Sequence, residues 1–286
     1  MQRAKVNGVE LEYRIEGKGE PVLLISPVIA GAFLPFTTQP ALAERYMLVR
    51  YHKRGWAGST HSPPPVSMAD HAADAAALLE HLGIPLAHVV GHSSGAAVAL
   101  QLAAERPGLV RALVLLEPPL LSIPAGQAFL EKAGPAFDAY GAGNAERAIA
   151  LFLSAVSGLR WEECRATIER HVPGAVAQAV SDADTFFSVE LPALADWTFG
   201  PEQAANLPLP VLLVEGSDTE PLFRESAELL RSAFPRPEGC LVEGTGHLLQ
   251  LQDPGAVAEC IAAFLDRHRI TDDVVASAAV RSGSEH

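Results

Sequence analysis

Two glycines placed two residues to either side of a serine, in Gly91-His92-Ser93-Ser94-Gly95, mark the part of this 286-residue chain with the clearest chemical content. The G-x-S-x-G spacing suits a sharp strand-to-helix turn that thrusts a serine hydroxyl out of a sheet edge as a nucleophile. Glycine is needed at both flanks because larger side chains would collide where strand and helix close together. An apolar run at 87–90 precedes the pentapeptide and an Ala-rich helical stretch at 96–105 follows it, which is the setting such a turn requires. A plain Gly/Ser turn would explain the pentapeptide but not its flanks. Ser94 follows the nucleophile, so its backbone N–H is expected to donate to a developing oxyanion, helped by the helix start. His92 is expected to pack within the turn, pointing away from the chemistry.

An alkyl hydroxyl needs a base, and histidine titrates in the right range. Of ten histidines, His247 stands out: Gly244-Thr245-Gly246-His247 follows a late short strand and precedes the last helix. A loop there returns to the sheet edge that carries Ser93, and the order nucleophile, acid, histidine is the expected one. Any single surface histidine is more often a solvated side chain than a base; this position sets His247 apart.

The elements that must hold these residues follow from periodicity. Residues 9–15 alternate as a half-buried antiparallel strand does, whereas 21–26 form a continuous apolar run covered on both faces. Further strands are expected at 47–51, 87–91 and 110–116, with helices at 68–82 and 94–105, a βαβ pattern that predicts a mostly parallel sheet. From about 118 to 207 the chain reads helical, and the alternation resumes at 210–215, with helices at 221–234 and 254–268 around a short strand at 240–242. This predicts a core domain of 1–117 and 208–270, a helical lid of 118–207, and a disordered tail of 271–286.

The charge balance, 21 Lys and Arg against 34 Asp and Glu, gives a net −13. That excess repels phosphate backbones and anionic lipid, so neither nucleic acid nor membrane is expected as a partner. Three cysteines without CxxC spacing argue against a disulfide framework and a zinc site. With no signal-peptide core at the start and no apolar run long enough to span a bilayer, a cytoplasmic protein is expected. No cofactor and no metal are expected; a homodimer is left open.

Taken together, PVLLIS (21–26), YHKRGWAGS (51–59), GHSSG (91–95), LLEPPL (115–120) and GTGHLLQLQDP (244–254) resemble the α/β-hydrolase superfamily over about residues 5–268. The resemblance implies an α/β-hydrolase fold: a mostly parallel eight-stranded sheet flanked by helices, with a helical cap inserted after strand six. It also implies an acid just after strand seven in a G-x-x-D turn. Here that turn reads Gly216-Ser217-Asp218-Thr219, with Asp218 one residue short and 29 residues before His247. A minority of the family carries the acid after strand six, where Glu117 stands, 24 residues after Ser93. A carboxylate at the end of a buried strand is costly unless a charged or hydrogen-bonding group meets it, and an imidazole N–H would do so. Glu117 is therefore the preferred acid and Asp218 the alternative; their other readings are a lid contact and a helix-capping turn residue. The family's His-Gly after strand three is replaced by Ser26-Pro27, and the next amide, Val28, is the expected second oxyanion donor.

The lid carries Phe129, Phe137, Tyr140, Phe152, Trp161, Phe186, Phe187, Trp197 and Phe199. Some of these should line a pocket for an apolar or aromatic substrate, although aromatics in helices more often serve a core. The expectation is a serine hydrolase of carboxylic esters or lactones working through an acyl-enzyme, with a Ser93–His247–acid triad. Hydrolysis of a carbon–carbon bond in a diketone-like substrate is the alternative, and a slow-turnover ligand receptor on the same fold is the reading from another class.

Overall fold

The computed structural model describes residues 1–271. Eight strands, β1 (Gln2–Val6), β2 (Val9–Glu16), β3 (Glu20–Ile25), β4 (Tyr46–Tyr51), β5 (Ala87–His92), β6 (Val110–Leu116), β7 (Val211–Gly216) and β8 (Pro237–Val242), form one sheet in the order β1-β2-β4-β3-β5-β6-β7-β8. The pairs β1–β2 and β2–β4 are antiparallel and the rest are parallel. β1 lies outside the strands expected from periodicity. Its alternate residues Arg3 and Lys5 are exposed, and an edge strand carrying charge gives a weak apolar signal.

Side chains of the central strands alternate between two apolar layers. Leu23, Ile25, Val89, Leu113, Leu115 and Leu213 face one layer with the helix Ser94–Glu105. Val22, Leu24, Val90, Val114, Leu116 and Leu212 face the other, with Val257, Ile261 and Phe264 of the helix Pro254–Arg267. Both faces are covered, which is why these strands read as unbroken apolar runs. Between β6 and β7 the chain forms helical segments from Pro124 to Ala205, and Phe129, Phe152, Phe186, Leu191 and Leu194 of this insertion belong to the same apolar cluster as Leu115.

Two expectations need correction or stop short. Cys240 of β8 and Cys260 of the last helix form a disulfide, with Cα atoms 6.5 Å apart, whereas composition argued against one. An odd cysteine count hid the pair, because the third, Cys164, is buried and free. The expected tail lies outside the described residues from 272 on. Among the described residues no helix is long and apolar enough to cross a membrane.

β3 connects to β4 on one side and neighbours β5 on the other, so the loops leaving the carboxyl ends of β3 and β5 diverge. This is where open α/β sheets bind ligands. The helix Ser94–Glu105 crosses close behind: a Cβ on Gly95 would lie 2.0 Å from the Ile25 carbonyl oxygen, and one on Gly91 2.3 Å from the Gly95 carbonyl oxygen. Neither contact can be relieved by a side-chain rotation. Gly95→Ala is expected to cost about 3 kcal/mol of stability, from the overpacking of backbone on backbone, read as a lowered urea midpoint. A variant as stable as the parent would show that the helix has room to shift.

Candidate active site

Ser93 sits between β5 and the helix that begins at Ser94, with φ 54° and ψ −126°. A non-glycine residue in the left-handed half of backbone space is strained, and such strain concentrates at functional sites. The Ser93 amide is anchored on the Leu116 carbonyl at 3.0 Å, so the turn is held by the end of the neighbouring strand β6.

One residue beyond that point on β6 stands Glu117, also with a positive φ (44°) and fully buried. Its amide donates to the Val214 carbonyl at 3.1 Å. Its Oε1 accepts from the Gly216 amide at 3.0 Å, and its Oε2 accepts from His247 Nδ1 at 2.8 Å. Burial pushes the carboxyl up to about 7, against the hydrogen bond from Gly216, which favours the charged form. The same burial holds His247 below the ordinary histidine value. The imidazole is thereby neutral at pH 7, and with Nδ1–H directed at Glu117 its lone pair is on Nε2.

The loop carrying His247 is fixed on three sides. The His247 ring stacks on Phe223, with centroids 3.8 Å apart and planes 12° from parallel. Its carbonyl oxygen lies 2.9 Å from His92 Nε2, and Gln250 Nε2 lies 2.9 Å from His92 Nδ1. A single neutral tautomer of His92 satisfies both contacts, accepting at Nδ1 and donating at Nε2. His92 thus faces the His247 loop rather than away from it, which corrects the expectation for it. The third support is the β7 end, where the Asp218 amide donates to the Thr245 carbonyl at 2.9 Å.

Asp218 itself is exposed, and its Oδ1 accepts from the Ser217 hydroxyl at 3.0 Å. The structure brings Glu117 to His247 and leaves the Asp218 carboxylate in solvent. Ser93 lines a small cavity of about 30 Å³ together with Val28, Ser94, Phe129, Phe152, Phe186 and further apolar side chains, including the same Phe223 that stacks on His247. Both expected oxyanion residues, Val28 and Ser94, therefore border the cavity. Of the nine aromatics expected to compete for that place, Phe129, Phe152 and Phe186 reach it. Trp161 lines a separate outer groove, and Trp197 donates from Nε1 to Gln101 Oε1 at 2.8 Å.

A family model described as the alpha/beta hydrolase fold matches residues 21–254. The chain belongs to the alpha/beta hydrolase family. A relative from Azorhizobium caulinodans, whose name, RutD, marks it as a proposed carbamate hydrolase, is 26% identical over 283 residues, covering 92% of this chain and 98% of its own. Among solved structures, Est816, described as an N-acyl homoserine lactone degrading enzyme, aligns with a TM-score of 0.72 at 22% identity over 92% of this chain and 100% of that one. An esterase from Thermogutta terrifontis aligns with a TM-score of 0.77 at 20% identity over 94% of this chain and 100% of that one. At these identities the two structures share the fold.

The supports that sequence reading missed in this alpha/beta hydrolase are Gln250 and Phe223, besides the misjudged direction of His92. Gln250, three residues after His247, carries a local signal. Phe223 arrives through tertiary packing. Glu117→Gln is expected to lower kcat by about 10³–10⁴-fold, as an amide stabilises the wrong imidazole tautomer. Asp218→Asn is expected to leave kcat near its original value. Steady-state kinetics of the two variants separates the carboxylates, and the reverse ranking would move the acid to Asp218.

Proposed function

We propose that this alpha/beta hydrolase is a serine hydrolase that cleaves a carboxylic ester or lactone of an apolar or aromatic small molecule through an acyl-enzyme. The observation that carries the reading is the buried Glu117–His247 hydrogen bond beside an apolar cavity lined by Ser93. In this mechanism His247 Nε2 takes the Ser93 proton as Oγ attacks the carbonyl carbon. Glu117 holds the Nδ1–H tautomer and stabilises the imidazolium. The amides of Ser94 and Val28 receive the oxyanion, His247 returns the proton to the leaving oxygen, and water then releases the acyl group. The helical insertion acts as a cap, its Phe129, Phe152 and Phe186 forming the apolar wall against the substrate.

A second reading, hydrolysis of a carbamate, is favoured by the resemblance to the Azorhizobium caulinodans protein over nearly the whole chain. It uses the same serine and differs in the acyl group. A cytoplasmic setting is part of the proposal, and the Cys240–Cys260 bridge is in tension with it, because disulfides persist mainly in oxidising compartments.

A fluorophosphonate probe is expected to label Ser93, located by peptide mass spectrometry, and p-nitrophenyl esters of short and medium chain are expected to give a burst followed by turnover. p-Nitrophenyl carbamates that acylate and turn over faster than the esters would favour the second reading. Ser93→Ala should lose about 10⁴-fold or more in kcat; full activity in that variant would end the proposal. Because burial holds His247 neutral below its usual 6.5, the acid limb of kcat/KM should lie below pH 6.5, activity falling as the imidazole protonates. An acid limb near pH 7 would report protonation of the Glu117 carboxyl instead, and one well above pH 7 would show that the base is another group.

A further inference from the structure

Behind the cavity lies an ion pair that the mechanism above does not use. Lys53 Nζ donates to Glu190 Oε1 at 2.6 Å, and the two side chains are 2% and 1% exposed. Taking two charges out of water is costly and is repaid only where the remaining hydrogen-bonding capacity is also met. Here Trp56 Nε1 donates to Glu190 Oε2 at 2.6 Å, and Lys53 Nζ also donates to Ser94 Oγ at 3.3 Å. The ammonium also lies 5.4 Å from the centroid of the Trp56 ring. Three separate parts of the chain meet in this cluster: the turn after β4, the helical insertion, and the residue that follows the nucleophile.

Glu190 ends a π-helical turn, Phe186–Glu190, a conformation that is rare and recurs at functional sites. The turn directs Glu190 at Lys53, while Phe186 before it and Leu191 and Leu194 after it line the cavity beside Ser93. The same segment is tied to the same turn twice more. Thr185 Oγ1 donates to the Gly55 carbonyl at 2.7 Å, and Asp182 Oδ2 accepts from the Ala57 amide at 3.0 Å. Among the described residues lining the cavity, Ser93 and Ser94 carry the only polar side chains.

We propose that Lys53 and Glu190 are positioning residues for ester cleavage: the pair clamps Ser94, and with it the amide that receives the oxyanion. The inference rests on the serine-hydrolase reading above. Ser94 opens its helix, so its amide has no partner within that helix and is free to face a ligand. Fixing the Ser94 hydroxyl from behind fixes the direction of that amide. An amide so aimed stabilises a charge that exists in the transition state and not in the ester, so the clamp acts on kcat more than on KM.

The test compares Lys53→Met, Glu190→Gln and the double variant Lys53→Met/Glu190→Leu, all titrated with the fluorophosphonate so that rates are expressed per reactive serine. The double variant removes both charges together, which keeps the core free of an unpaired charge and covers the case in which a single variant does not fold. All three are expected to lose about 10–100-fold in kcat per labelled serine, the size of effect seen for small misplacements of a reacting group, with KM nearly unchanged. Affinity for a trifluoromethyl ketone, which presents a tetrahedral oxyanion on Ser93, should fall in parallel with kcat. If the double variant keeps the parent kcat per labelled serine and the parent affinity for the ketone, the pair is structural and the inference is overturned. A parent protein that the fluorophosphonate does not label fails the serine-hydrolase reading instead, before any variant is made.

Discussion

The hydrogen bond between His247 and Glu117 is formed with both partners out of solvent, and much of the surrounding structure follows from that condition. A carboxyl at the end of a buried strand tends to hold its proton, and a buried imidazole tends to lose its own. Their mutual contact and the Gly216 amide are what keep the pair a hydrogen-bonded unit and not two unpaired polar groups. The Gly216 amide is available because β6 and β7 run parallel in a register that pairs Leu116 with Val214, two residues short of Gly216. A shift in that register would take the donor away and leave Glu117 Oε1 unsatisfied. The sheet is thus more than a scaffold for loops, since its hydrogen-bond register reaches directly to the Glu117 carboxyl.

The same logic links Ser93 to Glu117. The Ser93 amide bonds the Leu116 carbonyl, immediately before Glu117, so Ser93 and Glu117 are set by consecutive residues of one strand end. Both Ser93 and Glu117 have positive φ, and each occupies the residue that directly follows a buried parallel strand. Strain at two adjacent strand ends is tolerated because the strands behind them are packed on both faces, which over-determines their position. The close crossing at Gly91 and Gly95 brings the helix N-terminus beneath the serine.

Much of this was legible in the sequence for physical reasons that can be named. Buried parallel strands write themselves as runs such as PVLLIS and VRALVLL, and the elbow needs glycines at fixed offsets, so β3, β5, β6 and the Ser94–Glu105 helix are all visible in the chain. The charged edge strand β1 was not, because alternation with exposed Arg3 and Lys5 resembles a polar terminus. Glu117 is favoured over Asp218 in the sequence by the cost of placing a carboxylate at a buried strand end, but only the fold shows that Glu117 is the one that meets His247. The Lys53–Glu190 pair was illegible for a different reason. Its partners are 137 residues apart, and a charged residue in a helical stretch reads as a solvated face unless tertiary packing buries it.

The His247 loop shows how local and long-range constraints combine. It leaves β8 after Val242 and enters the short helix Leu249–Gln252, so that only a few residues separate it from ordered structure at either end. Cys240 and Cys260 lie on the two flanks and close a loop of 20 residues around it, a constraint that acts mainly on the unfolded chain. Within the folded protein the ring is placed instead by Phe223, from the helix after β7, and the backbone by His92, from the strand that leads into Ser93. His247 is therefore referenced to Ser93 through the protein's own backbone: His92 precedes Ser93 and bonds the His247 carbonyl, so a movement of either residue is felt by the other. That coupling lets a loop on the sheet's far strand hold its geometry against an elbow three strands away.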